Sequence, residues 1–311
     1  VSSRVRKFEV KMYFKNVVEA LGHTPLVEIS QMSPNPKVRI LAKLEGQNPG
    51  GSASIKDRVA KYMIEKAERS GELTPGKTII EATSGNTGIA LAWLGHTRGY
   101  RVTIVMPDSM SIERQQLIRL FGAELILTRG ADGVSAAIDT ARELAARDKN
   151  YFLPDQFSNP ANPLAHYETT AVEIIDDFPY EQVDVLVAGI GTGGTIVGTA
   201  RRLKERYPGI RVVGVEPPPG DIIQGLRCID TGEVPPILDL SLITEKATVT
   251  SKQAAVITRQ LLDKEGIFAG LSSGAVVHQA IKATQEMDSG NIVTILADGG
   301  WKYLSLDFWN G

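Results

Sequence analysis

Lys56 stands where a cation is least expected. It opens a helical pattern in which Val59, Met63, Ile64 and Ala67 share one apolar face. Its charge therefore lies at the helix end whose dipole favours anions. The residues ahead of it, Gly50 to Ser54, are small and leave the lysine room to move. A solvated surface charge is the ordinary reading of such a residue. The chemical reading is an amine that attacks a carbonyl carbon or, once free, acts as a general base.

Three other stretches rich in Gly, Ser and Thr sit between an apolar run and a helical pattern. "GIGTGGT" (189–195) follows "VDVLVAGI" and opens a helix whose Ile196, Ala200 and Leu203 share a face. Its glycines let backbone N–H groups converge on an anion, and Thr192 and Thr195 add hydroxyls suited to a monophosphate. Gly189, Gly191 and Gly194 also satisfy G-x-G-x-x-G, so a dinucleotide is a second reading, with Glu216 as its ribose-binding acid. "ATSGNTG" (82–88) surrounds another helix start with Ser84, Asn86 and Thr87. These are donors for a carboxylate, and Asn86 can also meet a phenolic oxygen. In "AGLSSGA" (269–275), Ser272 or Ser273 either caps a helix or offers a neutral hydroxyl to a ring nitrogen. A phosphate cradle, a carboxylate cradle, a ring-directed serine and a mobile lysine together fit pyridoxal 5'-phosphate held as a Schiff base. The charge of Lys56 then belongs to the cofactor.

Such loops need a scaffold that brings them to one place. β-Branched apolar runs at 38–45, 78–83, 101–106, 124–128, 183–190, 210–217 and 291–298 alternate with helical patterns at 57–69, 87–97, 111–121, 134–147, 195–206, 252–264 and 275–287. Near-continuous apolar strands separated by helices predict mostly parallel sheets covered on both faces, an α/β fold, with ligands at the carboxyl ends of the strands. The polar, proline-dotted "FLPDQFSNPANP" (152–163) reads as a hinge between two lobes, residues 1–160 and 161–311, with part of 23–46 crossing to the other lobe.

At 311 residues the chain can bury a sizeable core. A formal charge of −2 argues against nucleic acid or a charged membrane surface as partner. Cys228 is the only cysteine and the four histidines are scattered, so neither an internal disulfide nor a zinc site is expected. The most apolar stretch, 185–200, carries too many glycines and threonines for a membrane span. The first residues lack the apolar centre of a secretion signal, and a cytoplasmic protein is expected.

The motifs "SIKDR", "EATSGNTGIALA", "MPDSMSIERQQLIRLFGAELILT", "DQFSNPANPLAHYETT", "GTGGTIVG" and "EGIFAGLSSGA" resemble those of the cysteine synthase family, pyridoxal-phosphate enzymes of fold type II. The resemblance runs from "EALGHTPLVEI" to "ADGGWKYLS". It implies two lobes, each a mostly parallel sheet covered by helices, and a role for each loop. Lys56 carries the cofactor, Asn86 contacts its ring oxygen, Gly191, Thr192, Gly193, Gly194 and Thr195 hold its phosphate, and Ser272 faces its ring nitrogen. Thr83, Ser84, Thr87 and Gln156 receive the substrate carboxylate. The implied reaction is β-replacement on O-phosphoserine or O-acetylserine by a sulfur nucleophile, giving L-cysteine via an α-aminoacrylate. Arg227, the cation of "GDIIQGLRCIDTGEVPP", matches a leaving phosphate in charge and forked geometry. A homodimer is expected, with a sulfur-carrier protein or a serine acyltransferase tail as further partners. Cystathionine β-synthase, a serine or threonine dehydratase and a cofactor-holding scaffold without turnover are the rival readings. The chain departs from the family in "GGSASI", two residues longer than usual before Lys56, in Gly22-His23-Thr24-Pro25 and in "TTAVE" (169–173).

Overall fold

The computed structural model describes residues 13–310 apart from 84, 232 and 233. All seven expected strands form, to within two residues at either end, and three short ones join them. In chain order they are β1 (Leu26–Glu28), β2 (Val38–Leu44), β3 (Thr78–Ala82), β4 (Arg101–Pro107), β5 (Glu124–Thr128), β6 (Tyr151–Phe152), β7 (Val185–Gly189), β8 (Arg211–Glu216), β9 (Glu245–Thr248) and β10 (Gly290–Leu296). The helices are α1 (Lys56–Ser70), α2 (Asn86–Thr97), α3 (Ile112–Leu120), α4 (Gly133–Arg147), α5 (Ala161–Ala165), α6 (Ala171–Asp177), α7 (Gly194–Arg206), α8 (Ser251–Glu265) and α9 (Leu271–Thr284). The three added strands are short or polar, so no apolar run announces them. β9, "EKAT", is an edge strand whose exposed Lys246 discourages further pairing.

Two sheets result. The larger has the order β1-β2-β10-β7-β8-β9 and is parallel except where β1 meets β2; the smaller, β5-β4-β3-β6, is parallel throughout. Strands buried on both faces must be apolar at every position, and each sheet shows this. Ile40, Val187, Val213 and Ile292 pack under α8 and α9, while their neighbours Leu41, Leu186, Val212 and Val293 pack under α6 and α7. In the smaller sheet Ile79 and Ile104 face α1 and α2, and Ile80 and Val105 face α4. β1 and β2 lie in the sheet otherwise built from the second half of the chain.

The segment 152–163, expected as a hinge, is packed inward at two of its polar residues. Gln156 is 3% exposed and Asn162 is fully buried. Asparagines here shape a packed turn, because their side chains hydrogen-bond inward. Asn162 Nδ2 donates to the Gln156 carbonyl at 2.8 Å and to Thr192 Oγ1 at 2.9 Å, tying the segment to the start of α7.

A buried charge cluster joins the two sheets. Arg58, in the first turn of α1, donates from Nε and Nη2 to Glu45, just after β2, at 2.8 Å each. Its Nη1 and Nη2 also donate to Glu173 of α6 at 2.6 and 2.7 Å. Lys43 adds a second cation, 2.9 Å from Glu173. Burial alone would raise the Glu173 carboxyl, but Arg58 and Lys43 bring it down to about 2. Removing the guanidinium leaves two carboxylates buried without their main partner, which costs about 3–5 kcal/mol. Arg58→Ala is therefore expected to lower unfolding stability by that amount, measured by urea titration. A loss within ~0.5 kcal/mol, as for a surface residue, would show that the cluster does not hold the two sheets together.

Candidate active site

A cavity of about 190 Å³ opens between the sheets, and every loop singled out from the sequence reaches it. Helices α1, α2, α7 and α9 all begin at its wall without a capping side chain, and their N-cap residues are Ile55, Gly85, Gly193 and Gly270. α8, by contrast, has a complete capping box formed by Thr250 and Gln253. At α1 and α7 the first N–H meets a hydroxyl, of Ser54 and Thr192, and the other N–H groups of the four convergent helix starts make this wall a receptor for anions.

Lys56 lines the cavity. Burial lowers its amine to about 8, with the carboxylate of Asp298 opposing the shift. The longer loop before it is held from two sides. Asp57 accepts the N–H groups of Ser52 and Ser54 at 3.1 Å each. Lys302 donates to the carbonyls of Ser52 and Ala53 at 2.5 and 3.3 Å. Ala53 takes a left-handed conformation, φ 40°. The extra residues are thus pinned, and Lys56 keeps its place at the helix start.

At 191–195, Thr192 Oγ1 accepts from the Gly194 N–H at 3.3 Å and from Asn162. Thr195 Oγ1 lies 3.3 Å from Nε2 of His166, a buried imidazole whose Nδ1 is 3.1 Å from Thr170 Oγ1. Burial holds this histidine well below its ordinary pKa and so neutral. A Cβ on Gly191 would stand 2.5 Å from the Gly225 carbonyl, so only glycine allows the two loops to approach. Glu216, the acid that a dinucleotide reading requires, is already committed. It accepts the Ile229 N–H at 2.8 Å and pairs with Lys246 at 2.9 Å. The same lysine ion-pairs with Asp230, so the grouping of Glu216, Cys228 and Asp230 is filled by an ammonium.

On the facing wall, Thr87 donates to Gln156 Oε1 at 2.7 Å, and Gln156 Nε2 donates to the Ala82 carbonyl at 3.0 Å. Thr83 Oγ1 accepts the Gly85 N–H at 2.9 Å. Ser84 lies outside the described residues. Asn86 Nδ2 donates to Asp298 Oδ2 at 2.7 Å, and its buried Oδ1 has no partner. Ser272 is buried inside α9, which starts four residues earlier than expected. Neither Ser272 nor Ser273 caps that helix. Gly274 lies within the helix as a packing residue: a Cβ there would lie 2.1 Å from the Ala254 carbonyl of α8. Arg227 lines the cavity with its guanidinium over the Phe157 ring, 4.6 Å from the centroid.

An uncapped helix start for a phosphate, an orphaned amide oxygen for a ring substituent, an uncommitted serine and a lysine of lowered pKa fit pyridoxal phosphate. Residues that the sequence reading passed over support them. Asp298, 1% exposed, receives Asn86 and also Tyr303 Oη at 2.7 Å, and Lys302 braces the loop. The signal was an acid, a lysine and a tyrosine, Asp298, Lys302 and Tyr303, just beyond a buried strand.

Residues 17–298 match a family model described as pyridoxal-phosphate dependent enzyme. The chain is 40% identical over 303 residues to a cysteine synthase of Staphylococcus aureus (strain Mu50), covering 95% of this chain and 97% of that one. Among solved structures, an O-ureido-L-serine synthase superposes with a TM-score of 0.90 at 39% identity, covering 96% of each chain. A hydrogen sulfide-producing enzyme of Fusobacterium nucleatum gives 0.88 at 43%, covering 94% of this chain and 100% of the other. A cysteine synthase of Entamoeba histolytica gives 0.89 at 38%, covering 100% and 94%. Among the described residues no helix is long and apolar enough to cross a membrane.

The lowered pKa of Lys56 has a direct readout. An amine acylates only as the free base, so its reactivity is half developed where pH equals pKa. Pulse labelling of the cofactor-free protein with acetic anhydride, followed by mass spectrometry, should show Lys56 modification rising with pH through a midpoint near 8. A midpoint near the ordinary lysine value of ~10.4 would mean that the amine is solvated.

Proposed function

From the premise that the chain belongs to the pyridoxal-phosphate-dependent enzymes, we propose that it is a cysteine synthase, replacing the β-substituent of an O-activated L-serine with sulfur. The observation that carries this reading is the convergence of Lys56, the uncapped start of α7, Ser272 and the Thr83–Gln156 wall on one cavity. The relatives named cysteine synthase, aligned along nearly the whole chain, support it.

Bound pyridoxal phosphate supplies an electron sink that acidifies the substrate Cα–H. In this reading Gly191, Thr192, Gly193, Gly194 and Thr195 hold its phosphate, Asn86 meets its ring oxygen, and Ser272 offers the ring nitrogen a neutral partner. A neutral hydroxyl does not force the nitrogen to be protonated as a carboxylate would, which favours elimination and replacement over transamination. Thr83, Thr87 and Gln156, together with Ser84, orient the substrate carboxylate. Lys56 takes the Cα proton as a base, its lowered pKa suiting that task near neutral pH. The Cβ–O bond then breaks with its electron pair leaving on oxygen. A sulfur nucleophile forms the new S–Cβ bond, and Lys56 returns the proton to Cα. A homodimer, and partners such as a sulfur-carrier protein or an acyltransferase tail, belong to the same proposal.

Lys56→Ala is expected to abolish L-cysteine formation from either donor with sulfide, measured by product chromatography. Wild-type turnover in that variant would assign the chemistry to another lysine. A wild-type protein that makes cystathionine from homocysteine but no cysteine from sulfide would move the reading to cystathionine β-synthase.

Arg227 makes O-phosphoserine the preferred donor in this reading, because a guanidinium pairs with a departing phosphate and gains little from an acetyl carbonyl. Arg227→Ala should cost about 2 kcal/mol in kcat/KM for O-phosphoserine and scarcely alter O-acetylserine. Equal losses on both donors would remove the reason for that preference.

A further inference from the structure

Arg114 is a buried cation with no carboxylate partner among the described residues. It projects from α3 and is 2% exposed, and its Nε and Nη1 have no hydrogen-bond partner. Its guanidinium lies over the Tyr303 ring, 4.6 Å from the centroid, and lines the cavity. No described carboxylate forms an ion pair with it. The ring of Tyr303 leaves two buried N–H-bearing nitrogens of the guanidinium unsatisfied, and an anion entering the cavity is the partner that would repay their desolvation.

The neighbours of Arg114 identify the anion. Gly85 turns into α2 at φ 144°, and a Cβ there would stand 2.2 Å from Arg114 Cδ and 2.4 Å from Nε. Any side chain at this position would displace the guanidinium, so the turn at Gly85 is shaped around it. On this wall the neutral donors are partly spent. Thr87 gives its hydroxyl hydrogen to Gln156, and Gln156 gives one amide hydrogen to Ala82. The Thr83 hydroxyl hydrogen, the second Gln156 amide hydrogen and the N–H groups of the uncapped α2 start remain; all are neutral, and Arg114 is the cation beside them that matches a carboxylate in charge. A phosphate is better met elsewhere, since the α7 start and Arg227 both belong to the other lobe.

We propose that Arg114 is the cationic receptor for the α-carboxylate of the amino-acid substrate, completing the wall formed by Thr83, Thr87 and Gln156. This rests on the reading of the cavity as an amino-acid site. The charge-assisted pair discriminates α-amino acids from the corresponding amines and places Cα within reach of Lys56. Met110 and Val134 on the same cavity wall supply the apolar surroundings that strengthen such a pair.

The test uses the pyridoxal-phosphate-loaded protein and equilibrium dialysis with L-serine and with ethanolamine, which lacks the carboxylate. Arg114→Gln should weaken L-serine binding about ten- to a hundredfold, the range of a lost hydrogen bond to a charged group. It should leave ethanolamine affinity and cofactor content as in the wild type. Arg114→Lys, which restores the charge without the fork, should recover part of the loss and covers the case in which the glutamine variant misfolds. Equal weakening of both compounds in a folded variant, or no weakening of either, overturns the proposal. So does a variant in which L-serine binds normally but competition by inorganic phosphate is lost, which would make Arg114 a phosphate receptor. A wild-type protein that retains its cofactor but binds neither compound overturns the amino-acid reading, and this proposal with it.

Discussion

The site depends on where Arg58 finds its partners. Two residues after the lysine, the guanidinium is shared between Glu45, which follows the second strand of the larger sheet, and Glu173, on a helix behind that sheet. Four short hydrogen bonds in an interior of low dielectric fix the first turn of α1 in both position and direction. Thr24 and Asn48 add further bonds to Glu45, and the His23 N–H donates to Glu173, so the early segment of the chain is drawn into the same cluster. Lys56 is placed because Arg58 cannot move without unpairing two buried acids.

From that fixed point the cavity follows from the physics of helix ends. Strands of both sheets run toward the cleft, and the helices after them begin there without a side-chain cap. A folded protein ordinarily fills such ends with Ser, Thr, Asp or Asn. Here the N-cap residues of α2, α7 and α9 are glycines, and the hydroxyls nearby are turned to other tasks. The resulting positive potential suits a phosphate and a carboxylate. The same low dielectric that strengthens those contacts lowers the Lys56 amine. Anion binding and a reactive amine thus have one cause.

A second ring of residues keeps the first from drifting. Asp298 holds the amide of Asn86, Asn162 spans Gln156 and Thr192, and His166, kept neutral by burial, stands beside Thr195. Lys302 and Asp57 grip the longer loop before Lys56. Each is buried, polar and bonded to a loop that lines the cavity, which is how a site built largely on turns acquires the rigidity of a core.

The sequence alone determined the alternation of strands and helices, the parallel sheets and the loops that carry chemistry. Periodicity and glycine-rich junctions are local features, and local forces write them directly into the order of residues. It gave no role to Asp298, Lys302, Asn162 or Arg114, and it took Ser272 and Gly274 for the loop before a helix that in fact contains them. It read 152–163 as a hinge, although Gln156 and Asn162 are buried. Those features arise from contacts between residues far apart in the chain. Arg114 reaches a turn near Gly85, Lys302 a loop some 250 residues before it, and Gly274 the backbone of α8. Only tertiary packing brings such groups within hydrogen-bonding distance, and so only the fold decided which polar residues are spent on structure and which are left for a ligand.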